Sequence, residues 1–324
     1  MRVIRRSAHG YAQDPTKNLG LEDYDGCGAA DVALIVAAFD QSAGCWDQFK
    51  LSSTELHAVK RLRVVRLEFE EPNKFFINED FDIYDRDFYK VFTLCPFTAE
   101  YFNDRQGAQR RVPIFFPFNA DFIPSDSEKR YDIIYTGHLH PKPIMRDMRK
   151  ISGFNYRLVS NSEHELVTDR GVGYQQKLAL ISQSKITLTH NLLYPTPRHV
   201  LNVWKYPEWV ANKAFADMPR SALGLAKRLL SRSEIEVPQL KSRVFEAAFC
   251  RSLILCKRDR FNVIERYFTP GEEFVYYAEG KLIETVIEIL TNYDAYLPMI
   301  DKAYNRACAQ YTTAAFFEKY LKVI

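Results

Sequence analysis

The sequence predicts an α/β protein with two successive domains, each built around a parallel β-sheet. Two observations support this class. Short apolar runs alternate with longer amphipathic segments along most of the 324 residues, and 47% of the residues are hydrophobic, enough for two cores. The alternation is interrupted at 117–130, PFNADFIPSDSEKR, where prolines and polar residues cluster. We therefore expect a linker between two domains at this point.

The first domain, 1–122, is predicted to contain strands and helices in alternation. The strands are apolar runs bounded by polar or turn-forming residues, at 2–6, 31–39, 62–69, 89–94 and 112–116. One predicted helix, 51–61, carries Ser53 and Glu55 in its first turn. The other, 96–104, starts with Pro96, which suits a first-turn position.

The second domain, 123–305, repeats this alternation. Its predicted strands are 131–137, 155–161, 186–193, the apolar end of 241–256, and 273–278. Helices are predicted at 142–152, 174–185, the first half of 241–256, 281–292, 297–309 and 312–322. We expect an insertion at 195–237 and a last helix, within 306–324, that returns to the first domain.

Composition argues against several classes of protein. The 44 Lys and Arg residues against 41 acidic residues give a net charge of +3, which is too small for a nucleic-acid-binding protein. The six cysteines show no CxxC pair and no zinc-site spacing, which favours buried thiols in a reducing compartment. No apolar run approaches the length of a membrane span, and the first residues lack the apolar core of a secretion signal. We expect a cytoplasmic protein.

The segment 198–232 departs from this even charge balance. Seven Lys or Arg residues occur there against Glu208 and Asp217. Four aromatic residues lie in its first half, and its second half, SALGLAKRLLSR, mixes leucines with basic residues as an amphipathic helix does. Aromatic and basic residues together favour binding to an anionic membrane surface. The alternatives are a helical insertion packed on its own domain and one that shapes an acceptor site.

The segment KSRVFEAAFCRSLILC, 241–256, carries the strongest candidate site. An apolar stripe on its helix is expected to face the sheet and consists of Val244, Phe245, Ala248 and Phe249. A helix N-terminus at the carboxyl edge of a parallel sheet favours anions, so Lys241 and Arg243 beside it suit a diphosphate. Glu246, one turn further on, suits two sugar hydroxyls, which donate hydrogen bonds to a carboxylate. The alternative is an ordinary pair between Arg243 and Glu246 on a solvated face.

Two motifs resemble the donor-binding half of GT-B glycosyltransferases, LKSRVFEAAFCRSLILCK and FTPGEEFVYYAEG. Their pattern is most similar to that of the CgeB-related and glycosyl transferases group 1 family. The resemblance covers residues 130–320. It implies two Rossmann-like domains facing a cleft, with a C-terminal helical tail, and a nucleotide-sugar donor. It also implies that Glu246 holds the nucleotide ribose and that Arg243 and Lys241 hold the diphosphate.

Two positions depart from the family pattern. Retaining members often carry a second Glu eight positions before the ribose Glu, but that position is Pro238 here, so the stereochemical outcome stays open. The small Gly of the turn after the helix is replaced by Arg251. This replacement implies either a different turn or a basic group near the phosphates.

Further candidates lie where predicted strands end. Gly137 and His138 follow the first strand of the second domain, and His190 with Asn191 ends a later one, so we expect all four near the donor. His138 suits contact with the phosphates or the leaving group, and His9, after the first strand of the chain, suits an acceptor-side base. At each position a solvated loop residue without a catalytic role is the alternative.

We expect no bound metal and no cofactor besides the donor substrate. Three D-x-D pairs, beginning at Asp23, Asp80 and Asp85, match the metal-nucleotide motif of another glycosyltransferase class. Chance and an acid-rich loop explain them, so we interpret them as solvated acids. No P-loop, zinc-protease or serine-hydrolase motif occurs in the sequence.

The resemblance therefore implies a hexosyltransferase (EC 2.4) that moves a sugar from a nucleotide-sugar donor to a hydroxyl group. A glycan or lipid-linked acceptor is expected, in glycan or polysaccharide synthesis, with the enzyme peripheral at a membrane if 198–232 binds lipid. The alternative is a non-catalytic nucleotide-sugar-binding or assembly protein of the same fold.

Overall fold

The computed structural model describes residues 3–7, 22–23, 32–36, 63–68, 72, 89–125, 127–139, 141–204, 211–231 and 234–324. The chain divides into two compact units. Unit 1 consists of Met1–Phe115, Leu192–Gln239 and Phe317–Ile324, and unit 2 of Phe116–Asn191 and Leu240–Phe316. None of the helices in the described residues is long and apolar enough to cross a membrane.

The described elements alternate between strands and helices. The strands are β1 (Val3–Ser7), β2 (Glu22–Asp23), β3 (Val32–Val36), β4 (Arg63–Glu68), β5 (Lys90–Thr93), β6 (Arg111–Pro113), β7 (Tyr131–Thr136), β8 (Tyr156–Val159), β9 (Ser184–Thr189), β10 (Leu192–Leu193), β11 (Val237–Pro238), β12 (Leu253–Lys257) and β13 (Val275–Tyr277). The α-helices are α1 (Pro96–Gln106), α2 (Lys142–Ile151), α3 (Tyr174–Ser182), α4 (Pro197–Trp204), α5 (Ala222–Ser231), α6 (Ser242–Phe249), α7 (Leu282–Thr291), α8 (Tyr293–Gln310) and α9 (Thr313–Phe316).

Unit 1 contains a parallel sheet in the order β2-β1-β3-β4-β5-β6. The sheet strands other than β2 match predicted strands to within a few residues, whereas β2 is too short for a sequence pattern to reveal. Helix α1 begins at Pro96, as predicted, and ends at Gln106, followed by Gly107, whose φ of 61° is left-handed. The predicted helix at 51–61 lies outside the described residues.

The insertion packs within unit 1, although the sequence placed it in the second domain. Helices α4 and α5 share a buried apolar cluster with Phe102 of α1, which also includes Val200, Val203, Phe215, Met218, Leu225, Ile235 and Val237. The Asn212 side chain donates to Oγ1 of Thr98 at 3.3 Å. The apolar side of α1 is thereby covered, which gives the physical reason for this placement.

The burial of this cluster changes the interpretation of the insertion's aromatic residues. Phe215 is buried in it, and the partly buried Trp204 donates its indole N–H to the carbonyl of Pro219 at 2.8 Å. Neither side chain is available to a membrane. Tyr206 and Trp209 lie outside the described residues.

The end of the chain belongs to unit 1. The Tyr320 ring lies 5.7 Å from that of Phe92 and 5.6 Å from that of Phe115, between ring centroids. The Arg63 guanidinium of β4 donates to the backbone carbonyl of Ile324. The segment predicted as one helix at 312–322 is the short helix α9 followed by a π-helical turn at Phe317–Leu321.

Unit 2 contains a second parallel sheet, in the order β13-β12-β9-β7-β8. The two parallel sheets confirm the predicted α/β class. The strand predicted at 186–193 ends earlier, at Thr189, and the residues after it form the antiparallel β10-β11 pair in the other unit. Helix α8 starts at Tyr293, four residues before the predicted start, and keeps Pro298 in its interior.

Candidate functional site

Helix α6 is anchored to the sheet of unit 2 by its apolar face. Val244, Phe245, Ala248 and Phe249 are all buried, as the sequence predicted. The Phe249 ring stacks on Phe118 at 4.2 Å between centroids. At the start of the helix, the backbone N–H of Lys241 donates to Oδ1 of Asn191 at 3.1 Å. Because Asn191 follows β9, the helix N-terminus lies at the carboxyl edge of the sheet.

Arg243 is a partly buried cation in the first turn of α6. Its guanidinium carbon lies 4.8 Å from the centroid of the Tyr135 ring, a cation–π contact. No carboxylate of the described residues forms an ion pair with Arg243, and Glu246, three residues further on, pairs with Lys177 instead. The ordinary Arg243–Glu246 pair, which the sequence left as an alternative, is therefore absent from this part of the chain.

Gly137 makes room for this guanidinium. It follows β7, its φ is +140°, and its N–H donates to the carbonyl of Val159 at 3.0 Å. A Cβ at this position would lie 2.3 Å from Nη2 of Arg243. A side chain at position 137 would therefore displace Arg243, besides straining the backbone.

Glu246 is a buried carboxylate with one oxygen in use. Its Oε1 accepts from Nζ of Lys177 at 2.8 Å, while Oε2 is buried and has no donor at full hydrogen-bonding geometry among the residues that the structure describes. The Lys177 ammonium also lies 4.6 Å from the centroid of the Tyr174 ring. Burial raises the pKa of Tyr174 far above its usual range, with further contributions from the charge of Glu246 and from the interaction of the Tyr174 hydroxyl with the Glu246 carboxylate, so Tyr174 remains a neutral hydroxyl.

His190 belongs to a buried network that connects three elements. Its Nε2 lies 3.0 Å from the Tyr277 hydroxyl, which donates to Oδ2 of Asp147 at 2.9 Å. Burial, followed by the nearby charges of Lys257 and Arg243, lowers the pKa of His190 well below its usual value. A neutral ring with a proton on Nε2 fits this network and leaves Nδ1 as a buried acceptor that has no partner in the described part of the chain.

The remaining predicted site residues lie at different places. His138 is exposed, and its backbone carbonyl accepts from the Tyr135 hydroxyl at 3.3 Å. His9 lies outside the described residues, as does at least one Asp of each D-x-D pair. Within the described ranges, no group of three or more His, Cys, Asp or Glu residues is placed to hold a metal ion.

Arg251 occupies the turn after α6 in a left-handed conformation, with a φ of 50°. Its guanidinium carbon lies 3.8 Å from the centroid of the Tyr304 ring, and the guanidinium also bonds the Asp301 carboxylate of α8. Its side chain is thus engaged by α8. Neither alternative describes this position: the turn keeps the left-handed backbone that glycine favours, and α8 engages the basic group.

Sequence reasoning did not identify Lys177, Tyr174 or Tyr135. Lys177 pairs with a residue 69 positions away, and Tyr135 lies within a strand whose apolar pattern explains it as a core residue. No local motif reveals either contact, because both depend on how α6 packs against α3 and the sheet.

A family model described as "Glycosyl transferase-like" matches residues 141–322, more than half of the chain. The chain belongs to this family. The match includes α6 and the β12–β13 region, where the family resemblance in the sequence was found. No curated protein sequence matches the chain.

Solved structures similar to this member of the glycosyl transferase-like family confirm the GT-B fold class. Anabaena HepE in complex with UDP and glucose has a TM-score of 0.58 at 8% identity, and covers 100% of this chain and 99% of its own. A variant of S. aureus TarM in complex with Fondaparinux, alpha-GlcNAc-glycerol and UDP has a TM-score of 0.55 at 7% identity and covers 90% of this chain. The chain spans only 55% of that TarM chain. At these identities the comparisons show the fold alone.

Proposed function

We propose that this protein transfers a sugar from a nucleotide-sugar donor to a hydroxyl acceptor, and that unit 2 binds the donor. One observation carries the proposal: among the described residues, α6 presents a cation without a carboxylate partner, Arg243, and a carboxylate oxygen without a well-placed donor, Glu246 Oε2, three residues apart. These are complementary to the diphosphate and the ribose hydroxyls of one ligand.

The diphosphate is assigned to the start of α6. Backbone N–H groups of the first helical turn attract anions, and Arg243 and Lys241 add charge at the same end. Gly137 contributes by letting the guanidinium lie close to the backbone. When the sugar leaves, negative charge builds up on the diphosphate, so these groups also stabilise the transition state.

The ribose is assigned to Glu246. A buried acceptor without a hydrogen bond costs about 1–3 kcal/mol, and a ribose hydroxyl donating to Oε2 would remove that cost. His190 and Asn191 stay proposed donor-site residues. Because both are buried, we propose that they support α6 and the edge of the sheet. Nδ1 of His190 is also our proposed acceptor for a hydroxyl of the nucleotide sugar.

Proton transfer from the acceptor is the least defined step. His138, exposed after β7, and His9 stay our candidates for the catalytic groups. A glycan or lipid-linked hydroxyl is the proposed acceptor, in glycan or polysaccharide synthesis in the cytoplasm, and hexosyl transfer is the proposed reaction. The competing proposal is a protein that binds the nucleotide sugar without turnover.

Donor hydrolysis tests the proposal against its competitor. Purified protein is incubated with nucleotide sugars, starting with UDP-glucose because HepE has been crystallised with it. We expect binding by calorimetry and slow release of the nucleoside diphosphate. Binding without release from any donor would favour the non-catalytic protein.

Two variants locate the donor. Glu246→Gln should weaken nucleotide binding by about 1.5–3 kcal/mol, the net value of a hydrogen bond to a charged group. Arg243→Ala should weaken binding of diphosphates far more than that of nucleosides. Arg170→Ala is the control, because Arg170 forms an exposed pair with Glu163 within the same unit. Wild-type affinity in both site variants would refute this assignment.

We further propose that the enzyme contacts an anionic membrane through α5. Leu223 and Leu230, seven residues apart, are 81% and 85% exposed, and Lys227 lies on the same face. Exposed leucines beside a basic residue suit the headgroup region of a bilayer. Arg228 does not contribute, because it bonds Asp217 at 2.6 Å and the carbonyl of Glu234 at 3.0 Å.

Liposome sedimentation tests this contact. Wild-type protein should sediment with anionic vesicles at low salt, less so at high salt, and much less after the change of Leu223 and Leu230 to Ser. Ile287→Ser, at a position 51% exposed in unit 2, is the matched control. Absence of sedimentation by the wild-type protein at low salt would refute the membrane contact and leave a soluble acceptor.

A further inference from the structure

Lys177 and Glu246 form an ion pair that is almost completely buried. The two side chains are 12% and 2% exposed, and their charged atoms lie 2.8 Å apart. A buried ion pair often stabilises a protein no more than well-packed apolar residues would, because both charges lose their hydration. Stability alone therefore does not explain why these two charges are buried together. The orientation of the Glu246 carboxylate gives another reason.

Lys177 determines which way the Glu246 carboxylate points. The carboxylate is three residues from Arg243 on α6, a spacing at which Glu and Arg ordinarily pair. Lys177 engages Oε1 from α3 instead, and its ammonium is held in turn over the Tyr174 ring. As a result no carboxylate of the described residues pairs with Arg243, and Oε2 is left without a donor at full hydrogen-bonding geometry in those residues.

We propose that Lys177 is a positioning residue for ribose recognition, and that the preference of this site for ribonucleotides over 2′-deoxyribonucleotides depends on it. The inference rests on the proposed donor site. With Oε1 fixed, a ribose hydroxyl can donate to Oε2 without reorienting the carboxylate, which lowers the entropic cost of binding. Oε2 is shielded from water, so a neighbouring side chain must move, and we assign this movement to the partly buried Tyr174, whose hydroxyl interacts with the Glu246 carboxylate.

Calorimetry with pairs of nucleotides tests the role of Lys177. The probes are the ribo and 2′-deoxyribo forms of uridine, guanosine and adenosine diphosphate. For the nucleotide that binds, wild-type protein should prefer the ribo form by about tenfold to a hundredfold, as expected for one hydrogen bond to a charged group. Lys177→Met should bring this ratio close to one, with little change in affinity for the deoxy form.

Lys185→Met is the matched control, because Lys185 also lies near a carboxylate, that of Asp132 at 3.8 Å, and near a Tyr293 ring at 5.6 Å. It should keep the wild-type ratio. In the Glu246→Gln background, Lys177→Met should change the ratio no further, since the two residues act through one contact. If Lys177→Met does not fold, Lys177→Gln, whose amide still donates to Oε1, replaces it and should lower the ratio.

The outcomes separate the two proposals. Failure of all six nucleotides to bind would overturn the donor site itself. Binding with a wild-type ratio near one, or with a ratio that Lys177→Met and Lys177→Gln leave unchanged, would overturn the role of Lys177 alone.

Discussion

Gly137 and Arg243 fit together so closely that a Cβ atom on the first would lie 2.3 Å from Nη2 of the second. The two residues come from different parts of unit 2, the end of β7 and the start of α6. The guanidinium is confined between the glycine backbone and the Tyr135 ring, at 4.8 Å from its centroid. Its position is therefore set before any anion binds, which favours tight and specific binding.

Gly137→Ala should weaken the binding of nucleoside diphosphates by about tenfold or more, because the added methyl group displaces Arg243 and strains the backbone. Binding of the bare nucleoside should change much less. Gly153→Ala is the control, since its Cβ would come no closer than 3.8 Å to the carbonyl of Lys150. Equal losses for nucleoside and diphosphate by calorimetry would contradict a phosphate-binding role for this contact.

Arg251→Gly should leave nucleotide binding unchanged, because the Arg251 side chain is engaged by α8. The free energy of unfolding should change by less than about 1 kcal/mol. Glycine relieves the left-handed backbone, while loss of the partly exposed contacts with Asp301 and Tyr304 costs a similar amount. Urea titration measures the stability. A selective loss of diphosphate affinity would show that Arg251 reaches the phosphates after all.

The stability of the protein should fall as the pH decreases through the ordinary pKa of histidine, 6.5. Burial, with the charges of Lys257 and Arg243, lowers the pKa of folded His190, although the Asp147 carboxylate lies 3.4 Å away. Below this pH, His190 is protonated in the unfolded chain but stays neutral in the folded chain. The free energy of unfolding therefore decreases by up to about 1.4 kcal/mol per pH unit.

Thermal unfolding is measured at about pH 7.5 and about pH 5.5, because these two pH values span the titration range of histidine. His190→Gln should unfold with a weaker pH dependence, since glutamine does not titrate. Its melting temperature at the higher pH should decrease modestly, because the contact with Tyr277 is altered. An equal pH dependence in the two proteins would assign the effect to other groups.

Donor turnover should survive chelation. Arg243, Lys241 and the N-terminus of α6 supply positive charge at the proposed diphosphate position, which is the role a metal ion fulfils in other glycosyl transfers. Hydrolysis of the active nucleotide sugar is measured with EDTA, with manganese added back. Loss of turnover with EDTA and its recovery with manganese would replace this mechanism with a metal-dependent one.

The sequence predicted the helix and strand framework of unit 2 because that framework follows from local periodicity. The apolar stripe of α6 appears as spacing along the helix, and Gly137 and Asn191 were expected near the donor because strand ends in a parallel sheet share one edge. The partner of Glu246 was beyond such reasoning. Lys177 is 69 positions away, and only the packing of α3 against α6 decides that it, and not Arg243, takes the carboxylate.

The insertion shows a similar limit. Its basic charge and amphipathic pattern were visible, but a pattern does not reveal which of two neighbouring leucines is covered. Leu225 is buried in the cluster around Phe102 of α1, whereas Leu223 is 81% exposed. The side that α1 covers decides between them, and the sequence alone did not indicate that the insertion packs on the first unit.

The division of the chain has a consequence for how the protein is made. Unit 1 is assembled from Met1–Phe115, Leu192–Gln239 and Phe317–Ile324, so its final piece leaves the ribosome after all of unit 2. The contacts of Tyr320 with Phe92 and of Ile324 with Arg63 can therefore form only once synthesis of these residues is finished. Synthesis of unit 2, by contrast, is complete at Phe316, before the last segment of unit 1 is made. Nascent chains stalled before position 317 would carry an incomplete first unit, exposed to proteases and chaperones until residues 317–324 are added.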